Sequence, residues 1–294
     1  MKKVHFVVNP KAGKGKSKIS EEYLLRFFNK YNYKIVVKYS NYKGHAKFLA
    51  KESVVEKADI IVACGGDGTI NEVASAIVNS HIILGIVPIG SGNGLASNLN
   101  IPNDTNKAIA LIKKNKTSRI DIGKVNDSYF FSNMGIGFDA AVINSYHLGN
   151  RHQLLGYLKS TVKTFFNFKP LQDITLELAG KTKNINPFLF FISNSNMLGY
   201  NVSLTRKASL QDGLLDIVLI EHANKLKILW FAFLLFIGQS QIIKGLTYKQ
   251  VKTLKLHCKN GSYKWLIQQD GEPLVVEKNE IDVEVLPNAL EVLV

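Results

Sequence analysis

Strand-like and helix-like segments alternate through the first 120 residues. This alternation restricts that part of the chain to a mostly parallel sheet with helices on both faces. KKVHFVV, from Lys2, is an apolar run that stops at Asn9-Pro10 and reads as a strand. Residues 17–32 place Ile19, Tyr23, Leu24, Phe27 and Phe28 at offsets of three and four, one face of a helix. Ser17 or Ser20 is able to cap it, and Glu21-Glu22 suit its positive end. Strands are then expected at residues 33–39, 59–64 and 82–87, and helices at 44–57, 69–78 and 105–114.

The pattern changes near residue 120. RIDIGKV, YFFSNMG, ITLELAG, PFLFFISN, LLDIVLI, TLKLHC, KWLIQQDG and IDVEVL follow as strand candidates, several separated by turn formers such as Asn126-Asp127. Clear helical stretches are expected only near 151–167 and 224–243. Two domains are expected, an α/β domain over 1–120 and a β-rich one over 121–294. The last strand is able to return to the first domain.

Composition sets outer limits. The 294 residues are 46% hydrophobic and 20% charged, which excludes intrinsic disorder. Two cysteines, Cys64 and Cys258, exclude a disulfide framework or a cysteine zinc cluster. The net charge is +14, and residues 1–60 hold 14 basic against 5 acidic side chains. That surplus favours an anionic partner: nucleotide phosphate, nucleic acid or an acidic membrane. Lys2-Lys3 are followed by only five residues before Asn9-Pro10, too few for a signal peptide. The most apolar run, ILWFAFLLFIG (228–238), has eleven residues where a span needs about 20. A cytoplasmic protein is expected, touching a membrane at most from one side.

Three glycine loops follow strands in the first domain. Gly65-Gly66-Asp67-Gly68-Thr69 lies between DIIVAC and TINEVASAIV. Glycines admit a ligand close to the backbone, and a helix N-terminus offers N–H groups and a positive dipole end to phosphate. Asp67 repels bare phosphate, so it implies a bridging Mg²⁺ or a proton to be abstracted. A turn in which Asp67 caps the helix explains the same residues. Gly90-Ser91-Gly92-Asn93 and Asn9-Pro10-Lys11-Ala12-Gly13 are the other two loops. All three belong at strand C-termini, the edge where open parallel sheets bind ligands. Two partial motif matches fail. Pro10–Ser17 lacks the first glycine of a P-loop, and GIGFDA (135–140) sits too late in the chain for a dinucleotide fingerprint.

In order, Asn-Pro-x-x-Gly, GGDGTINEV, P-x-G-S-G-N-x-L-A, Asp-Gly-Leu-Leu-Asp and a late Asp-Gly-Glu occur. This set resembles the diacylglycerol kinase, sphingosine kinase and ceramide kinase family in its compact bacterial form, over nearly the whole chain. The resemblance implies a three-layer α/β nucleotide domain like that of NAD kinases and phosphofructokinases, and a C-terminal β-sandwich-like domain. It implies ATP and Mg²⁺ as cofactors and a lipid hydroxyl at a membrane surface as acceptor. Nucleotide contacts carry over to Asn9, Pro10, Lys11, Ala12, Gly13, Ser40, Gly65, Gly66, Asp67, Gly68, Thr69, Asn71, Glu72, Gly90, Ser91, Gly92 and Asn93. Asp212, with the carbonyls of Ser209 and Leu214, matches a structural Mg²⁺ site. Asp67, Asp270 and Glu272 match the acids assigned to proton abstraction and Mg²⁺ positioning.

There are departures. Ser91-Gly92-Asn93 and Asp139 are closer to sphingosine kinases, in which an acid near Asp139 meets the polar head of the substrate. These features leave the acceptor open between diacylglycerol-type and sphingoid-type lipids. A soluble-substrate kinase of the NAD-kinase type and a non-catalytic regulator are the rival readings. Nucleic acid as a partner rests on charge alone and is not expected. A homodimer is left open. The apolar run 228–238 and TFFNF (164–168) either line the lipid pocket or meet the membrane interface.

Overall fold

The computed structural model describes residues 1–15, 19–90, 92–149, 154–196, 204–205, 207–221, 228, 246–258 and 264–294. They form two compact units, Met1–Ile122 with Pro287–Val294, and Gly123–Leu286.

The first unit is the α/β domain. In chain order it holds β1 (Lys2–Val8), α1 (Ala12–Gly15), α2 (Glu21–Leu24), β2 (Tyr33–Tyr39), α3 (His45–Val55), β3 (Ile60–Gly65), α4 (Asp67–Ile77), β4 (Ile83–Pro88), α5 (Gly94–Asn98), α6 (Thr105–Lys114) and the start of β5 (Thr117–Val125). The strands run parallel in the order β2-β1-β3-β4. β3 is buried along its whole length, as its unbroken apolar run requires in a sheet covered on both faces. Near the C-terminus, Glu291 and Val292 pair parallel with Ile83 and Leu84 of β4. The helix expected across 17–32 contracts to Glu21–Leu24, capped by Ser20 Oγ, which accepts from Tyr23 N at 3.2 Å. Beyond Leu24 the chain turns so that buried Phe28 packs edge-on against Phe6 and Tyr33. Ser17 lies outside the described residues.

The second unit is a two-sheet β structure. It holds β6 (Ser128–Phe130), β7 (Asn133–Gly137), α7 (Phe138–His147), α8 (Leu154–Asn167), β8 (Ile174–Leu178), β9 (Lys181–Ile185), β10 (Pro187–Ser193), β11 (Leu215–Glu221), β12 (Leu246–Val251), β13 (Thr253–Cys258), β14 (Trp265–Gln269), β15 (Glu272–Val276) and most of β16 (Glu280–Leu293). One sheet is antiparallel in the order β12-β11-β10-β7-β14-β15. In the other, β13 lies between β16 and β8, and β9 pairs with β8. Met134, Ile136, Phe190 and Ile192 of the first sheet share a core with Leu254, Leu256, Ile281 and Val283 of the second.

Three strands, β9, β12 and β15, and the helix α7 add to the expected elements. YFFSNMG, expected as one strand, is two. The helix expected at 224–243 lies almost wholly outside the described residues. Among the described residues no helix is long and apolar enough to cross a membrane.

Candidate functional site

In the first unit the three glycine loops meet at the C-terminal edge of the parallel strands. Ile89 N donates to Gly65 O at 2.8 Å, and Asn9 N to Cys64 O at 2.9 Å. A Cβ on Gly90 would stand 2.6 Å from Gly66 Cα, so the second and third loops need glycine to lie this close. Gly13 has φ +59 and faces Ile89, which joins the first loop to the third. Asn9 fixes its own turn, its Oδ1 accepting from Lys11 N at 3.0 Å, while its Nδ2 donates to Thr69 Oγ1 at 3.3 Å.

Asp67 ties GGDGT to the third loop. Its Oδ2 accepts from Asn93 N at 2.9 Å and its Oδ1 from Gly94 N at 2.6 Å. The carboxylate therefore sits at the start of α5, where unpaired N–H groups gather. Asn93, buried and left-handed at φ 53, closes the loop by donating from Nδ2 to Gly90 O at 2.8 Å. Gly68, in the first turn of α4, has nothing within 4 Å of the place a Cβ would take. Open space over a helix N-terminus beside glycine loops is suited to phosphate oxygens.

Glu72 and Ser40 are structurally engaged. Glu72 Oε1 accepts from Gly44 N at 2.7 Å and Oε2 from Ala46 N at 3.0 Å, so the carboxylate caps α3. Ser40 is buried at the end of β2, its N–H bonded to Val8 O. Ser91 lies outside the described residues.

The second unit gathers its own polar group. Asp270 and Gly271, at φ 48 and 83, are the two-residue turn of the β14–β15 hairpin, with Gln269 opposite Glu272. Positive φ at both positions is what Asp-Gly supplies to such turns. The Asp270 carboxylate reaches away from its hairpin. Oδ1 accepts from Ser132 N at 2.7 Å and Asn133 N at 3.0 Å, and Oδ2 from Phe131 N at 2.8 Å. These N–H groups are thereby withdrawn from the sheet ladder, which is why YFFSNMG breaks into β6 and β7.

Buried Gln268 connects this turn to Asp139. Its Oε1 accepts from Gly271 N at 3.0 Å, and its Nε2 donates to Asn133 Oδ1 at 2.9 Å and Asp139 Oδ2 at 3.3 Å. Asp139 lies over Gly135, where a Cβ would collide with its carboxyl. Asp139 Oδ1 is buried with no hydrogen-bond partner among the described residues. Burial pushes the carboxyl up to about 7, against the pull of the Ala140 N–H and Gln268.

Asp212, Ser209 and Leu214 share one chain reversal before β11. Asp212 Oδ1 accepts from Leu214 N at 3.0 Å, and Gln250 Nε2 stands 3.4 Å from Oδ2. Gln250 also reaches Asp216, a fully buried carboxyl that accepts from Tyr248 and that burial raises to about 6. A carboxylate with neighbouring main-chain carbonyls is an all-oxygen donor set, which fits Mg²⁺ completed by waters. Among the described residues no group of three or more His, Cys, Asp and Glu side chains gathers.

Known proteins carry the same two-part arrangement. Residues 3–125 match the diacylglycerol kinase catalytic domain, and residues 132–294 match the YegS C-terminal NAD kinase beta sandwich-like domain. A Pectobacterium atrosepticum protein named "Probable lipid kinase YegS-like" is 30% identical over 256 residues, 84% of this chain and 82% of the relative. The chain belongs to the bacterial lipid kinase family. Within that family, the diacylglycerol kinase of Bacillus subtilis (strain 168) is 29% identical over 281 residues, 92% of this chain and 90% of the relative. A diacylglycerol kinase structure from Bacillus anthracis shares the fold at TM-score 0.71 and 18% identity, covering 99% of this chain and 96% of that one. Yeast NADH kinase shares it more distantly, at TM-score 0.51 and 9% identity, over 99% of this chain and 82% of that one.

The family's expected residues thus fall into three groups. Asn9–Gly13, Gly65–Thr69, Gly90, Gly92 and Asn93 come together in the first unit. Asp139, Asp270 and Glu272 belong with Gln268 in the second, and Asp212 sits with Gln250 and Asp216 on β11 and β12. Sequence reasoning missed Gln268, Asn133 and Gln250, and gave Asp216 no role. Glutamines in strands carry no motif, and Asp216 was read only as the end of the Asp-Gly-Leu-Leu-Asp motif, with no role of its own.

Proposed function

We propose that this protein transfers the γ-phosphoryl group of ATP to the hydroxyl of a diacylglycerol-type lipid. The observation that carries this reading is the Asp67 carboxylate bonded to the Asn93 and Gly94 N–H groups, which holds an acid amid three glycine loops. The relatives' names support the acceptor class. Phosphoryl transfer asks little covalent chemistry of the protein, so positioning and charge neutralisation dominate. In this reading the loop N–H groups and the start of α4 hold the phosphates. The lipid oxygen bonds to phosphorus as the bond to the ADP oxygen breaks. The hydroxyl proton goes to Asp67 or Glu272. Asp270, fully engaged with Phe131, Ser132 and Asn133, positions the segment before β7 and is not the base. Mg²⁺, when bound, supplies positive charge to the phosphate oxygens. Asp212 with the Ser209 and Leu214 carbonyls would hold a structural ion.

A sphingoid acceptor is the second reading, favoured by the unpartnered Asp139 Oδ1, which would accept from a hydroxyl or ammonium head. Transfer from γ-labelled ATP with Mg²⁺ to diacylglycerol, monoacylglycerol, sphingosine, ceramide and NAD tests both. A labelled diacylglycerol product lost in Asp67→Ala is expected. Labelled sphingosine alone would favour the second reading, and labelled NAD alone would end both.

A further inference from the structure

α7 grips the β14–β15 hairpin from both of its ends. Asp139, in its first turn, accepts from Gln268 Nε2 at 3.3 Å. His147, its last residue, is half-buried and places Nε2 3.1 Å from Gly271 O. A carbonyl oxygen only accepts, so Nε2 carries the proton of this hydrogen bond. The imidazole is braced from the side. Tyr146 meets it edge-on with ring centres 5.8 Å apart, and Tyr157 of α8 meets Tyr146 in the same way at 5.9 Å.

These contacts close on one residue of the turn. Gly271 N donates to Gln268 Oε1 at 3.0 Å and Gly271 O accepts from His147, so the peptide groups on both sides of Gly271 are held. A glycine at φ 83 is otherwise the freest point of the hairpin. Glu272 follows it, and the Glu272 N–H lies in the same rigid peptide plane as Gly271 O. On the other side Pro273 restricts Glu272 to extended backbone. The backbone that aims Glu272 is thus fixed by a proline after it and by a histidine from another element before it. The hairpin does not need the histidine to form. Its ladder pairs Gln269 with Glu272 and Trp265 with Val276, and Asp270 already anchors the turn through three N–H groups. What His147 adds is the orientation of the Gly271–Glu272 peptide plane.

We propose that His147 is a positioning residue for phosphoryl transfer, holding the Gly271–Glu272 peptide so that Glu272 meets the acceptor hydroxyl at a fixed angle. The inference rests on the kinase reading and commits to Glu272, of the two acids named for that step, as the group that takes the hydroxyl proton.

The test is a double-mutant cycle on transfer from γ-labelled ATP to diacylglycerol by the full chain. His147→Ala should lower kcat about 10- to 100-fold, the cost of a misplacement of about 1 Å. KM for ATP and for diacylglycerol should stay within about twofold, since no ground-state contact is lost. Its melting temperature should fall by a few degrees at most, as for one hydrogen bond. His147→Gln, whose amide N–H is able to reach the same carbonyl, should restore most of the rate. His147→Ala added to Glu272→Gln should slow it no further, because a residue that acts through Glu272 then has nothing left to position. Additive losses overturn the proposal, as does an unchanged kcat in His147→Ala. So does a limb of the kcat–pH profile that vanishes in His147→Gln, which would make His147 itself the proton carrier. Nitrogen NMR of histidine-labelled protein at alkaline pH reads the clamp without turnover: the His147 proton is expected on Nε2, and finding it on Nδ1 overturns the proposal. A wild type that labels no acceptor ends the kinase reading and this inference with it, whereas turnover without the Nε2–H signal ends the inference alone.

Discussion

Gly94 N donates to Asp67 Oδ1 across 2.6 Å, which makes one carboxylate both the acid of the GGDGT loop and the cap of α5. The two roles separate by substitution. Asp67→Ala removes the acid and leaves the Asn93 and Gly94 N–H groups without their acceptor. Turnover should fall by about 10²-fold or more. Stability should fall by about 1–2 kcal/mol, the usual loss for a helix cap. Asp67→Asn keeps one acceptor oxygen and should lose turnover equally with a smaller stability change. Denaturant melts beside ATP turnover read both. A folded Asp67→Ala protein with near wild-type activity sinks the assignment.

Asp270 and Glu272 are two residues apart, yet their substitutions should behave in opposite ways. Asp270→Ala strips the acceptor from three N–H groups and should cost about 2–3 kcal/mol. Asp270→Asn tolerates the left-handed turn and should cost less. Glu272→Gln should leave the melting temperature within a degree or two and lower kcat if Glu272 takes the proton. Equal melting temperatures for Asp270→Ala and Glu272→Gln would show that the three hydrogen bonds do not anchor the turn.

This contrast shows where sequence reading stops. The strand–glycine–helix order made the three loops legible, because strand, turn and helix each leave a local signal. TLKLHC is a strand from first residue to last, as its alternation predicts. The break in YFFSNMG was not legible, because its cause is a carboxylate 138 positions away from Ser132. α7 was missed because FDAAVINSYH is apolar on several sides and shows no clean stripe. Gln268 was invisible for a similar reason: its three side-chain partners are set by register, with Gln268 opposite Gly135 and Gln269 opposite Met134.

Two loop glycines should separate folding from binding. Gly90→Ala drives a Cβ to 2.6 Å from Gly66 Cα, so the loops must part. A stability loss of about 1–3 kcal/mol is expected, as for overpacking. Gly68→Ala meets nothing within 4 Å and lies in a helix, so it should fold as well as the wild type. Its methyl group would occupy the open space assigned to phosphate, and ATP affinity should drop about tenfold. Calorimetric ATP binding together with thermal melts decides the matter. Tight ATP binding by Gly68→Ala would place the phosphates elsewhere.

Asp139 should make stability depend on pH in a direction opposite to that of a salt-bridged acid. Its folded value, about 7, lies above the ordinary 3.8. The folded state therefore favours the protonated carboxyl. The sign follows by linkage: no penalty exists below the unfolded value, the penalty grows as pH rises from about 4, and it levels off above about 7. Asp139→Asn keeps a neutral side chain of the same shape and should be more stable than wild type at pH 8, on the order of a few kcal/mol. The two proteins should converge near pH 4. Gln268 donates to Asp139 Oδ2 and so favours ionisation. Gln268→Leu should then move the Asp139 carboxyl still higher, read by carbon NMR of labelled aspartate against pH. An Asp139 resonance that titrates near 4 in the wild type, or does not move in Gln268→Leu, would mean that water reaches the carboxyl and that Gln268 does not govern it.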